Sequence, residues 1–188
     1  MKIDLTKSTD LLIIGFIVGA LSGGLNYLIL FFRFFNGAFL LFLAGIPYGI
    51  ISCIYFYYID IKNRQSGLSL TFKFWVKMIM WVFICTASYF LAVNVAINST
   101  FNKYDFFKVF SFAFAGFIGA AILVFGFYFL IMKINIKLTL LILVIQAFIA
   151  CITFYALPDN NFRYLVLYTL YQGMATALLS TAFKNKPI

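Results

Sequence analysis

Long apolar runs separated by short polar breaks set the pattern of this chain. A helix rises about 1.5 Å per residue, so about 20 apolar residues cross the roughly 30 Å hydrocarbon core of a bilayer. Six runs approach or exceed that length: residues 11–32, 37–58, 74–97, 109–132, 138–157 and 164–183. Within them apolar residues occupy every side of a helix rather than one stripe, which is the pattern of a helix surrounded by lipid or protein. The breaks are brief. Arg33 and Asn36 mark a tight turn after the first run, residues 60–73 make the longest connection on one side, and residues 98–108 the longest on the other. The pattern predicts one all-α domain over residues 1–188, a polytopic transmembrane helix bundle of six spans. Pro47, between Gly45 and Gly49, falls in the middle of the second run and should kink that span or mark a gate.

Composition points to lipid as the solvent. Of 188 residues, 65% are hydrophobic and 10% charged, against about 45–50% and about 25% in soluble domains. A water-soluble fold of this size leaves too much surface exposed to hide that much apolar area. The charge adds an orientation. If the spans alternate, Lys2, Lys7, Lys62, Arg64, Lys73, Lys77, Lys133, Lys137, Lys184 and Lys186 share one side, ten of the 14 basic residues; Arg33, Lys103, Lys108 and Arg163 lie on the other. The positive-inside rule then puts both termini in the cytoplasm of a cell whose inner (plasma) membrane holds the chain. Basic residues at the ends of apolar runs read as topology signals and head-group contacts, and no direct nucleic-acid partner is expected despite the net charge of +9. Aromatic residues at the same ends, among them Tyr55, Phe56, Tyr57, Tyr58, Phe72, Phe74 and Trp75, read as interfacial belts.

The inventory of reactive groups is short. The chain has no His and no Glu, and its five acids, Asp4, Asp10, Asp60, Asp105 and Asp159, all fall near span ends. General acid–base catalysis needs a positioned titratable group, and proton-coupled carriers place one near the midplane. The spans offer neither, so the chain reads as non-catalytic, with no cofactor. Cys53, Cys85 and Cys151 sit singly inside apolar runs, without the spacing of a metal site or a disulfide framework.

What the spans do carry is small residues at spacing four. Gly15, Gly19 and Gly23 form one series, Gly45 and Gly49 a second, and Ala115 with Gly119 and Gly116 with Ala120 a third. Spacing four places them on one helix face, where missing side chains let backbones approach, either within a bundle or in a homo-oligomer. The series in the first span is the strongest candidate for an intersubunit seam. Asn26, Gln146 and Gln172 are amides at membrane depth, and with Pro47 they are the candidate intramembrane polar site. Lys62, Arg64, Lys73, Lys133 and Lys137 are candidates to dock a cytoplasmic protein partner. Phe101, Tyr104 and Phe107 crowd the second outer connection as a candidate sensing loop.

In length, helix content and a composition rich in Phe, Ile, Asn and Lys, the chain resembles the small polytopic membrane subunit of the Kiwa anti-phage defence system. The resemblance implies a bacterial sensor of envelope disturbance that recruits a cytoplasmic DNA-binding effector. Six spans in a chain of 188 residues is also the size of the substrate-binding subunits of energy-coupling-factor vitamin importers. Three functions are therefore open at this point: an oligomerising membrane sensor or anchor, a small-solute transport subunit, and an oligomeric pore.

Overall fold

A computed structural model describes residues 8–31, 45–64, 72–100, 105–157 and 161–185. Among these residues all regular structure is helical: α1 (Ser8–Phe31), α2 (Gly45–Arg64), α3 (Phe72–Thr100), α4 (Asp105–Leu130), α5 (Ile136–Ala156) and α6 (Asn161–Ser180), followed by a 3₁₀ turn at Thr181–Asn185. Four of them, α1, α3, α4 and α5, are long and apolar enough to cross a membrane. α2 and α6 have the length, at 20 residues each, but a more polar make-up. α2 ends on Asp60, Lys62, Asn63 and Arg64, and α6 carries Arg163, Thr169, Gln172, Thr176 and Ser180.

Helix is the form these segments must take in lipid, because every backbone N–H and C=O needs a partner inside its own segment. Where the chain turns back between α4 and α5, the break is short. The N–H groups of Ile131 and Met132 both donate to the Phe127 carbonyl, at 3.0 and 2.9 Å. Asn135 then caps α5, its side-chain oxygen accepting from the Leu138 N–H at 2.7 Å.

Each helix packs antiparallel on its chain neighbours, and α6 returns to pack on α1, so the six close into a ring. The second half of α6 leans into the interior and also touches α2 and α4. That accounts for its composition: from Ala175 to Ser180 every side chain is buried against protein, where apolar side chains for lipid contact are not required. The α1–α6 seam is the most extensive contact. Gly15 faces Ala177 and Ser180, Gly19 faces the Gln172 carbonyl and Thr176, and Gly23 faces the Tyr168 carbonyl. From the other side Gly173 receives the Phe16 ring. The opposite face of α1 turns Ile13, Ile17, Leu21, Leu25 and Leu28 outward, all exposed. Large apolar side chains outside and small or polar ones inside is the arrangement of a membrane-embedded bundle.

Two expectations change in detail. The connection expected to begin at residue 60 is helical through Arg64, because Ile59 is fully buried and continues the packed face of Tyr55 and Phe56. Pro47 is the third residue of α2, and the stretch before Gly45, on which the expected kink depends, lies outside the described residues. Tyr55, Phe56 and Phe74 are buried core residues rather than belt residues, whereas Tyr58, Phe72 and Trp75 are exposed.

A methyl group added at Gly19 would sit within 2.7 Å of the Gln172 carbonyl carbon and Thr176 Oγ1, whereas at Gly24 it meets nothing within 4 Å. Gly19→Ala should therefore lower stability by about 1–3 kcal/mol, the usual range for an overpacked contact. Gly24→Ala should be neutral or raise it by up to about 1 kcal/mol through helix propensity. Thermal midpoints of the two variants in one detergent check the pair; equal effects would place the tight seam elsewhere.

Candidate functional site

The end of the ring that holds the start of α1 and the end of α6 is filled by aromatic side chains. Phe56, Trp81, Phe127 and Phe183 are all buried there. Phe56 meets Phe127 edge-on, with ring centroids 5.1 Å apart, and meets Trp81 in the same manner at 6.1 Å. Edge-to-face contact is the favoured geometry for such rings. Trp81 also donates its indole Nε1–H to Ser52 Oγ at 2.9 Å, which fixes the ring across α2 and α3. Tyr55 donates to the Leu11 carbonyl at 3.3 Å, tying α1 to α2, and Ser180 Oγ of α6 stands 2.9 Å from the same carbonyl and 2.7 Å from that of Ala177, with one proton for the two.

Among the described residues the other end is not filled. A cavity of about 390 Å³ lies between α3, α4, α5 and α6, with Tyr27 of α1 and Tyr48 of α2 on its wall. That volume is within the range of small-molecule sites. On α3 the lining runs from Cys85 to Ala96, roughly 16 Å of helix rise. It stops at Tyr48, Cys85 and Leu123, short of the aromatic plug, and reaches the far end of the bundle at Ala96, Phe154 and Tyr164. Toward the plug the cavity ends blind among the described residues. Ala92, Ala96 and Ala115 are among the small residues that line it.

Its polarity, among the described lining residues, comes from neutral groups. Among the described lining residues there is no Asp, Glu, Lys, Arg or His; the polar members are six tyrosines, Ser88, Cys85 and Gln172. Most of these hydroxyls are held. Tyr89 and Tyr168 hydrogen-bond to each other. Tyr171 donates to the Gly116 carbonyl at 2.9 Å, and Ser88 to the Gly119 carbonyl at 2.7 Å. Tyr48 accepts from Thr176 Oγ1 at 3.3 Å. Gln172, 5% exposed, is bonded on one side only: its Oε1 stands 2.9 Å from Ser22 Oγ. Ser22 also stands 2.7 Å from the Gly19 carbonyl and has one proton for two acceptors. Whichever it serves, half of the Gln172 amide is left for the cavity it lines.

The candidate polar residues thus separate. Gln172 lines the cavity. Gln146 supports it from behind, donating Nε2–H to the Tyr171 carbonyl at 3.0 Å, while its own Oε1 is buried without a partner among the described residues. Asn26 is fully buried on the α1–α6 side, and neither of its amide atoms has a hydrogen-bond partner among those residues. Pro47 stands apart from all three, off the lining.

The remaining candidates fall into place by element. Gly45 faces Thr86 and Gly49 faces Val82, both across the α2–α3 contact. Gly116 meets Gln146 and Ala150 of α5, Gly119 meets the Tyr171 hydroxyl, and Ala120 is fully buried. Every one of these small faces is occupied by the same chain. Lys62, Lys73, Lys133 and Lys137 are exposed at the plugged end, and Arg64 is the last residue of α2. Phe107 is exposed in α4 at the opposite end; Phe101 and Tyr104 lie outside the described residues.

Sequence reasoning passed over Tyr48, Tyr89, Tyr168 and Tyr171, which sit inside apolar runs rather than at their ends. Tyr164, Tyr168 and Tyr171 do follow the spacing of one helix face, and that was the legible signal. Comparison with protein-family models, with curated proteins and with solved structures finds no match.

A buried amide without partners costs about 1–3 kcal/mol per unmade bond, and removing it for an apolar group of similar shape recovers that cost. Asn26→Leu should therefore raise the thermal midpoint of the purified protein. A drop in the midpoint would mean that Asn26 is hydrogen-bonded in the folded state.

Proposed function

We propose that this chain is a non-catalytic, multi-pass protein of the plasma membrane that takes a small molecule into the blind cavity and relays its presence to a cytoplasmic protein. The observation that carries the reading is the pairing of an unfilled cavity at one end of the ring with an aromatic plug at the other. A site that is open at one end and closed at the other is suited to receiving a ligand, and the plug stands across any continuous path for an ion or solute. On this reading all six helices cross the bilayer, the plugged end faces the cytoplasm, and the cavity opens to the outside. The exposed lysines at the plugged end, Lys62, Lys73, Lys133 and Lys137, supply a basic surface for the partner and for anionic head groups. The resemblance to the Kiwa membrane subunit would make the relay one of defence, with a DNA-binding effector on the inner side. The same cavity also favours a second reading, a substrate-binding subunit of an importer, which differs in that its occupant would be carried inward.

Orientation is checked with single cysteines at exposed positions at opposite ends. On intact cells an impermeant maleimide should label Phe162→Cys and should reach Lys133→Cys only after the membrane is opened. The reverse pattern would turn the protein over and put the cavity on the cytoplasmic side.

Relay and occupancy are checked together. Purification from native membranes in mild detergent should retain a small molecule with the wild-type chain and lose it from Val93→Trp, which fills the cavity. A soluble partner should co-purify, and the double variant Lys133→Glu, Lys137→Glu should release it without unfolding the bundle. Ligand-dependent uptake by cells, with no partner bound, would replace the relay by the importer reading.

A further inference from the structure

We infer, on the reading that the cavity is a binding site, that its ligand is an uncharged molecule with a flat or apolar body and one hydrogen-bonding end. Three observations fix these terms. First, the described lining offers no charged side chain, and moving an unpaired ion out of water into such a place costs several kcal/mol. A carboxylate, phosphate or ammonium group would find no counter-charge among the described lining residues. Second, the walls are mostly rings and aliphatic groups. Phe112 and Phe154 stack face to face with centroids 3.8 Å apart, and both line the cavity, as do Val93 and Leu123. Such walls suit an aromatic or aliphatic body. Third, the one lining amide, Gln172, is half unused, and a neutral carbonyl, hydroxyl or amide on the ligand completes it. Tyr48, beside it at the blind end, accepts from Thr176 and has its own O–H to give. The polar end of the ligand therefore lies deep and the apolar body toward the mouth.

Arg163 is the cation to consider against this. It holds its guanidinium over the Phe154 ring, 5.6 Å from the centroid, and donates Nε–H to the Leu157 carbonyl at 3.0 Å. It is engaged by these two groups and is not part of the lining.

Four probes on one ring frame separate the possibilities: 2-naphthol, naphthalene, 2-naphthoate and 2-naphthylmethylammonium. Each is titrated against the full chain in lipid nanodiscs, with the thermal midpoint as readout and Val93→Trp as the blank for partition into lipid. We expect 2-naphthol to raise the midpoint of the wild type and not of Val93→Trp, with a half-saturating concentration at least about tenfold below that of either charged probe. Naphthalene should be weaker than 2-naphthol in the wild type and equal to it in Gln172→Leu, a loss of discrimination that a merely destabilised variant would not produce. A charged probe binding as well as 2-naphthol, or better, overturns the neutral class while leaving the cavity as a site, and an anion preference would point to Arg163. No response to any of the four overturns both the class and the reading of the cavity as a site.

Discussion

The fold depends on how closely α1 and α6 approach. In lipid no hydrophobic force pulls helices together, since the acyl chains are as apolar as the side chains. Association has to come from dispersion contact and from hydrogen bonds made across the seam. Gly15, Gly19 and Gly23 on one side and Gly173 on the other remove the side chains that would hold the two helices apart. The approach brings Ser22 to Gln172 and Ser180 to the Leu11 carbonyl. Because α6 is the last helix and α1 the first, this seam also closes the ring. Loosening it would open the wall that carries Tyr168, Tyr171 and Gln172, so the geometry of the cavity is tied to the same glycines.

The two ends of the ring use similar residue types to opposite effect. At the plugged end large rings meet edge-on and fill the space, and the indole N–H of Trp81 and the hydroxyl of Tyr55 find partners on neighbouring helices. At the other end small residues and tyrosines line a space that the described residues leave open. An interior packed like an organic crystal leaves few voids of this size without a reason. The incomplete hydrogen bonding of Gln172 at the blind end of the same void makes ligand binding the simplest reason. Asn26, with no partner among the described residues, and Gln146, half bonded among them, are further buried amides of the bundle.

Much of this was legible in the residues themselves. Unbroken apolar runs, the lack of His and Glu, and basic residues gathered at run ends all report on the solvent around the chain. Transfer into lipid depends on the length and composition of a local segment and on little else. The small-residue series was also legible as close packing. The sequence alone did not show what each face packs against: α6 for Gly15, Gly19 and Gly23, α3 for Gly45 and Gly49, and α5 for Gly116.

The sequence by itself determined that the protein is a helical bundle with lipid around it, because hydropathy is summed along the chain. Only the tertiary structure decided that the bundle closes α6 on α1, that Tyr55 and Phe56 are core while Tyr58 faces outward, and that a void remains beside Gln172. The physical reason is that a residue facing lipid, one facing a neighbouring helix and one facing empty space can have the same identity and the same local spacing. What separates them is the position of other helices, and that is a property of the whole fold.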